Sequence, residues 1–242
     1  MADQAVFKRY ELKYLVTSAQ KAKIIESMKP YMELDQYGRT TIRNIYYDTE
    51  NYRLIRNSIE KPVYKEKLRV RSYEKVDSQS KVFVELKKKY KHVVYKRRCS
   101  LTQEEAEQWL AGKRKCKNQN QITEEIDYFF TYYKTLRPAV FLSYEREAYY
   151  CKNGTDFRVT FDENVLVRQE QMSLTEDVWG TSLLPEGMMI MEIKCSGGIP
   201  LWMTSVLSEE KIYKTSFSKY GTAYQKHIRC RGNPLPKLTT EY

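Results

Sequence analysis

YKEKLRVRSYEKV, residues 64–76, decides how this chain folds. Lys67, Arg69 and Arg71 alternate with Leu68 and Val70, and a second run of the same kind, KVFVELKKKY, follows at 81–90. Alternation over five to eight residues reads as a strand with one buried face, because successive side chains of a strand point to opposite sides. The apolar side is expected to pack on a core, and the other side is unusually rich in positive charge.

Working outward, further strand-like runs lie at 7–15, 41–47, 93–100, 140–150, 156–161 and 188–195. Helical stretches interrupt them. Residues 18–28 follow Thr17 or Ser18 as the N-cap, Thr102 with Glu105 forms a capping box for 103–111, a third helix lies near 123–134, and a fourth covers 201–211 after Pro200. The aromatic run YFFTYY (128–133) is expected to pack outside the sheet, and LWMTSVL (201–207) to bury one face. No low-complexity linker or repeat divides the chain, so residues 1–242 read as one domain with its core at about 6–226 and a mobile tail at 232–242. Many alternating strands with few helices predict an α+β fold, a closed antiparallel β-barrel with helices packed on the outside.

The 242 residues suffice for a sizeable core, and a composition 41% hydrophobic and 30% charged is that of a folded chain. Lys and Arg number 42 against 31 acids, a formal +11 that calls for a polyanionic partner. Cys99, Cys116, Cys151, Cys195 and Cys230 are scattered with no C-x-x-C pair, and the histidines are His92 and His227. This argues against a zinc site and against a disulfide framework. Both histidines read as packing or surface residues. No apolar leader or 18-residue apolar run is present, which predicts a soluble, cytoplasmic protein. A P-loop or Rossmann glycine pattern is also missing from the sequence.

The charges themselves follow one rule. Arg9, Glu11 and Lys13; Lys67, Arg69 and Arg71; Glu85, Lys87 and Lys89; Lys96 and Arg98; Arg158 and Asp162; Glu192 and Lys194 stand two or four apart, on one side of each strand. A merely solvated sheet face mixes signs, because like charges directly opposite each other are destabilising. Stacked cations on one face are costly unless an anion sits among them, and phosphates suit the purpose through bidentate Arg contacts and Lys point charges. Carboxylates interspersed there are hard oxygen ligands suited to Mg²⁺ or Mn²⁺.

In order along the chain stand KRYELKY, IYYDT (45–49), KLRVRSY (67–73), VFVELKKK (82–89), YKRRCSL (95–101), YEREAY (144–149), FRVTFD (157–162), MEIK (191–194) and SFSKYG (216–221). This series resembles the VTC (vacuolar transporter chaperone) domain, the polyphosphate polymerase branch of the triphosphate tunnel metalloenzymes (CYTH-like superfamily), in a stand-alone bacterial-type form. The resemblance implies a β-tunnel whose inward cations hold a triphosphate or a growing polyphosphate, with γ-phosphoryl transfer from ATP in the presence of Mn²⁺ or Mg²⁺. It implies catalytic roles for Lys13, Arg69, Arg71, Lys87, Arg146 and Lys194. Phosphate-binding roles fall to these residues and to Arg43, Lys67, Lys96, Arg98, Arg158 and Lys219. Glu192 is the implied metal ligand, with Glu85 and Glu11 as further candidates. Some polymerase members carry a lysine where this chain has Ser216, a place that nearby Lys214 could fill. For Arg146, periodicity leaves open whether it or Glu145 and Glu147 face inward.

Hydrolytic relatives open with E-x-E-x-K, whereas this chain has Arg9-x-Glu11-x-Lys13. A cation in place of a metal-binding carboxylate weakens activation of water but not alignment of a phosphate nucleophile. Polyphosphate polymerase is therefore the leading expectation. The alternatives are a nucleoside or inorganic triphosphatase and a non-catalytic polyphosphate or nucleotide sensor. Nucleic-acid binding ranks lowest, because the cations sit at strand-interior spacing.

Overall fold

The computed structural model describes residues 10–91 and 93–229. Arg9, His92, Cys230 and the expected tail at 232–242 lie outside the described residues. Ten strands form one antiparallel sheet: β1 (Tyr10–Thr17), β2 (Met32–Asp48), β3 (Tyr64–Ser72), β4 (Lys81–Tyr90), β5 (Val93–Thr102), β6 (Arg137–Cys151), β7 (Arg158–Arg168), β8 (Thr181–Ser182), β9 (Met188–Cys195) and β10 (Lys214–Thr215). Their order is β10-β1-β9-β7-β6-β2-β3-β4-β5, with β8 attached to β7. The helices are α1 (Ser18–Met28), α2 (Arg53–Ile59), α3 (Gln103–Leu110), α4 (Gln121–Tyr133), α5 (Leu201–Glu209) and α6 (Lys219–Ala223), the last continuing as a π-helical turn, Tyr224–Ile228.

Three apolar clusters follow from the strand alternation. Tyr14, Val16, Met191 and Ile193 bury the outer side of β1 and β9 against Ile24 and Met28 of α1 and Met203 and Val206 of α5. Leu68, Val70, Val84 and Leu86 on the outer side of β3 and β4 pack against Trp109 and Leu110 of α3 and Ile126 and Phe129 of α4. The third cluster lies on the inner side, where Ile42, Leu142, Tyr144 and Ile190 meet Ile55 of α2 and Tyr220 and Ala223 of α6. Local chemistry sets the helix starts. Thr17 caps α1 with Gln20 as its reciprocal partner, and Thr102 with Glu105 forms the capping box of α3. Asp48 accepts the Leu54 and Ile55 backbone N–H groups at 2.9 and 3.0 Å and the Tyr220 hydroxyl at 2.9 Å, which ties the start of α2 to α6.

The sheet does not close into the expected barrel. Among the described residues, β5 pairs with β4 alone, β10 pairs with β1 alone, and no ladder joins these two edges. The reason lies in the chain that reaches the seam. β10 holds strand geometry for two residues, and Ser218 then caps α6. Side chains instead tie the segment after β10 to the inner face: Lys13 Nζ of β1 donates to the Phe217 carbonyl at 3.2 Å and Lys67 Nζ of β3 to Ser218 Oγ at 3.0 Å. The other edge is blunted by Lys96, Arg97 and Arg98 of β5, a charge pattern that discourages further pairing. The sheet is nonetheless strongly curled. β1 and β4 are far apart in strand order, yet the charge of Lys87 acts on Glu11 and that of Lys13 on Lys67.

Candidate functional site

The inner face of this curled sheet carries most of the charged residues singled out above. On β3, Arg69 donates to Glu85 Oε2 of β4 at 2.8 and 2.6 Å and to the Tyr46 hydroxyl of β2 at 3.0 Å. Arg71 donates to Asn44 Oδ1 at 2.9 Å and to the Tyr144 hydroxyl at 3.0 Å. From β5, Lys96 and Arg98 reach Glu85 Oε1 at 2.8 and 2.7 Å. Glu85 is fully buried, which opposes ionisation, but Arg69, Arg71 and Lys96 hold its carboxyl far below the usual carboxylate range. Arg97, one residue out of phase, faces the other way and pairs with Glu125 of α4.

A second knot forms where β1, β9, β7 and β6 meet α6. Arg146 makes a bidentate pair with Asp162 at 2.6 and 2.7 Å, and Lys219 donates to the same carboxylate. Glu192 lies 2.9 Å from Lys194, 3.5 Å from Lys13, 3.6 Å from Lys219 and 3.7 Å from Arg146. Burial works against its ionisation, yet these cations keep it well below the ordinary carboxylate range. Glu145 and Glu147 flank Arg146 but turn away, to Arg39 and Lys21. The alternation thus resolves with Arg146 inward.

Between the knots stand cations that carboxylates offset only from a distance. Among the described residues, Lys67, Arg71 and Lys87 form no ion pair. Burial, with Lys65, Lys13 and Arg69 adding repulsion, pushes the Lys67 ammonium down to about 7. Arg69, followed by burial, drives Lys87 well below the lysine range. Lys67 and Lys87 are also direct cross-strand neighbours.

Not every expected residue joins this group. Arg158 shares the face of Thr160 and Asp162, opposite Lys194 in register, but is exposed at the end of β7. Arg43 lies on the opposite side of the sheet. Its neighbour Asn44 takes the inner position, while Arg43 is buried near Glu74, Asp177 and Arg168, with Nε unpartnered. The sequence placed Asp162 on the charged side of its strand without giving it a role, and gave none to Asn44, Tyr46, Tyr144 and Ser218. Their signal was present for Asn44 and Tyr46, which alternate with the outward Ile45 and Tyr47. Asp162 stands out only once β6 and β7 are paired in register, where it faces Arg146.

The carboxylates bear on a divalent cation. Glu11 and Glu192 sit on adjoining strands with Glu11 opposite Lys194 and Lys13 opposite Glu192, and the charge of Glu192 opposes ionisation of Glu11. Glu85 is engaged elsewhere by Arg69, Lys96 and Arg98. Among the described residues, no three His, Cys, Asp or Glu side chains gather to hold a metal. Mg²⁺ commonly takes one or two carboxylates, with substrate phosphates completing the shell. Glu11 and Glu192 fit that arrangement and do not fit an all-protein cage.

Comparison with known proteins bears on the fold and the family. In fold, the chain is similar to the crystal structure of a Bacillus halodurans protein provisionally assigned as an adenylate cyclase. The two share 14% identity and a TM-score of 0.55 over 88% of this chain and 96% of that one. It is also similar to a Hippeastrum protein assigned as an adenylyl cyclase and described as having a dominant triphosphatase activity, at 15% identity and a TM-score of 0.50 over 93% and 97% of the two chains. Comparison with curated protein sequences gives no match. The sequence profile of the VTC domain matches residues 8–228, nearly the whole chain. The chain belongs to the VTC domain family.

Proposed function

We propose that this protein is a phosphoryl transferase that seats the triphosphate of ATP on its basic inner face and passes the γ-phosphoryl group to the end of a polyphosphate chain. The carrying observation is a set of cations with no ion pair among the described residues, the half-buried Lys67 and Lys87 and the buried Arg71, held on one inner face. Such a cluster is unfavourable alone and becomes favourable around a polyanion.

Each residue then has a role in positioning or charge neutralisation, which dominate the catalysis of phosphoryl transfer. Arg69 and Arg71 are fixed from behind by Glu85, Tyr46, Asn44 and Tyr144, so their guanidinium groups are preorganised for phosphate oxygens. Arg146 and Lys219 are anchored by Asp162 in the same way. Lys13, Lys87 and Lys194 supply point charges. A divalent ion carried in on the phosphates and held by Glu192 and Glu11 would supply further charge neutralisation. Glu11 and Glu192 lie among Lys13, Lys194 and Lys219, a poor setting for activating water and a tolerant one for an anionic nucleophile.

The test is incubation of the protein with ATP and Mn²⁺, with products resolved on a gel stained for polyphosphate. A ladder is expected, absent from Glu192→Ala and from Arg69→Ala provided the variants remain folded by circular dichroism. Free phosphate without polymer would instead establish a triphosphatase. Tight tripolyphosphate binding without turnover would establish a sensor. Among the described residues no helix is long and apolar enough to cross a membrane.

A further inference from the structure

From the pairing of Lys67 with Ser218, we infer that Ser218 is itself an acceptor of the γ-phosphoryl group, with Lys67 as its general base. This inference rests on the proposed seating of a triphosphate on the inner face. Ser218 Oγ lies 3.0 Å from Lys67 Nζ, the distance over which a serine proton passes to an amine. The hydroxyl is fixed from its other side by the Gly221 backbone N–H, which donates to it at 3.1 Å. A Cβ on residue 221 would crowd this hydroxyl, standing 3.1 Å from both Cβ and Oγ of Ser218. Phe217 holds Lys13 through its carbonyl, and Lys219 follows directly, so the hydroxyl is presented among phosphate-directed cations.

Lys67 has the surroundings of a base. Lys65 and Arg69 flank it on β3, Lys13 reaches it from β1 and Lys87 is its neighbour on β4, while Asp48 alone of its named neighbours favours the ammonium. Burial and these cations leave much of the amine neutral near neutral pH. In the reaction, Ser218 Oγ forms a bond to the γ-phosphorus, and the bond from that phosphorus to the β–γ bridging oxygen breaks. The bridging oxygen leaves with its electron pair as part of ADP, and the Ser218 proton passes to Lys67. The product is phosphoserine at 218, whose charge sits beside the newly formed Lys67 ammonium.

The full chain is incubated with ATP and Mn²⁺ and analysed by intact-mass spectrometry and peptide mapping, with tripolyphosphate binding measured by calorimetry on the same preparation. The expected result is a gain of one phosphoryl group mapped to Ser218. It should be lost in Ser218→Ala and reduced at least tenfold in Lys67→Arg, which keeps the positive charge but cannot accept the proton. Tripolyphosphate binding by the wild-type protein with no phosphoryl group on Ser218 would overturn this inference and leave the proposed function standing. Unreduced labelling of a folded Lys67→Arg variant would also overturn it. Failure of wild-type protein to bind tripolyphosphate would overturn both.

Discussion

Glu85 is the residue on which the inner face depends most directly. It is fully buried and accepts from Arg69, Lys96 and Arg98 at once. Removing one partner of a buried ion pair leaves uncompensated charge and costs about 3–5 kcal/mol. Glu85→Gln should therefore lower the thermal midpoint sharply, and tripolyphosphate should restore part of the loss by supplying the missing negative charge. A melting series with and without tripolyphosphate checks both halves. Because its carboxyl is depressed, Glu85 stabilises the fold fully above the unfolded carboxylate range, and that contribution falls away as the pH drops toward the folded value. Lys67 carries the opposite dependence for ligand binding. A phosphate favours its ammonium, so between about 7 and the higher bound value, binding takes up a proton and weakens as the pH rises. Calorimetry at pH 8 in buffers of different ionisation heat should reveal that uptake, and Lys67→Arg should reduce it. Ser218 phosphorylation, which uses the neutral amine, should respond in the reverse sense and speed up with pH.

At the scale of elements, the sequence was informative wherever alternation met a clear apolar partner. Leu68 and Val70 had to face one way and Arg69 and Arg71 the other, and the cluster with Trp109 and Ile126 explains the division. The Thr102 and Glu105 box was equally legible, being a local pairing three residues apart. Thr102→Ala should cost about 1 kcal/mol through loss of that cap, read as a shift in urea midpoint. As the box faces away from the inner cations, tripolyphosphate affinity should not change. Other elements were opaque for physical reasons. Helix α2 is seven residues long, follows Tyr52 in the left-handed region, and takes its N-terminal acceptor from Asp48 on the preceding strand. Nothing in RLIRNSI alone announces it. Arg43 illustrates the other limit. Its charge drew it into the phosphate set, while Ile45 and Tyr47, two and four residues on, marked its side of β2 as the outer one.

Across the whole molecule, alternation describes each strand separately and carries no information on whether the ends of a sheet meet. The expected closure failed for that reason, at a two-residue strand and a serine cap. The consequence is a division in how the wall is fastened. Elsewhere, rows of backbone amides hold neighbouring strands, but the segment after β10 is held by side chains, among them Lys13 on Phe217, Lys67 on Ser218, Lys219 on Asp162 and Tyr220 on Asp48. The three lysines belong to the set proposed to grip phosphate, so an arriving anion competes for part of what holds this segment. Hydrogen–deuterium exchange should find the amides of residues 214–219 among the fastest in the sheet region, while those of β9 and β7 stay protected. Adding tripolyphosphate should change the 214–219 signal before any other. Unaltered exchange there under saturating tripolyphosphate would mean that the wall is fastened independently of its cargo, and that loading happens without any breathing of the seam.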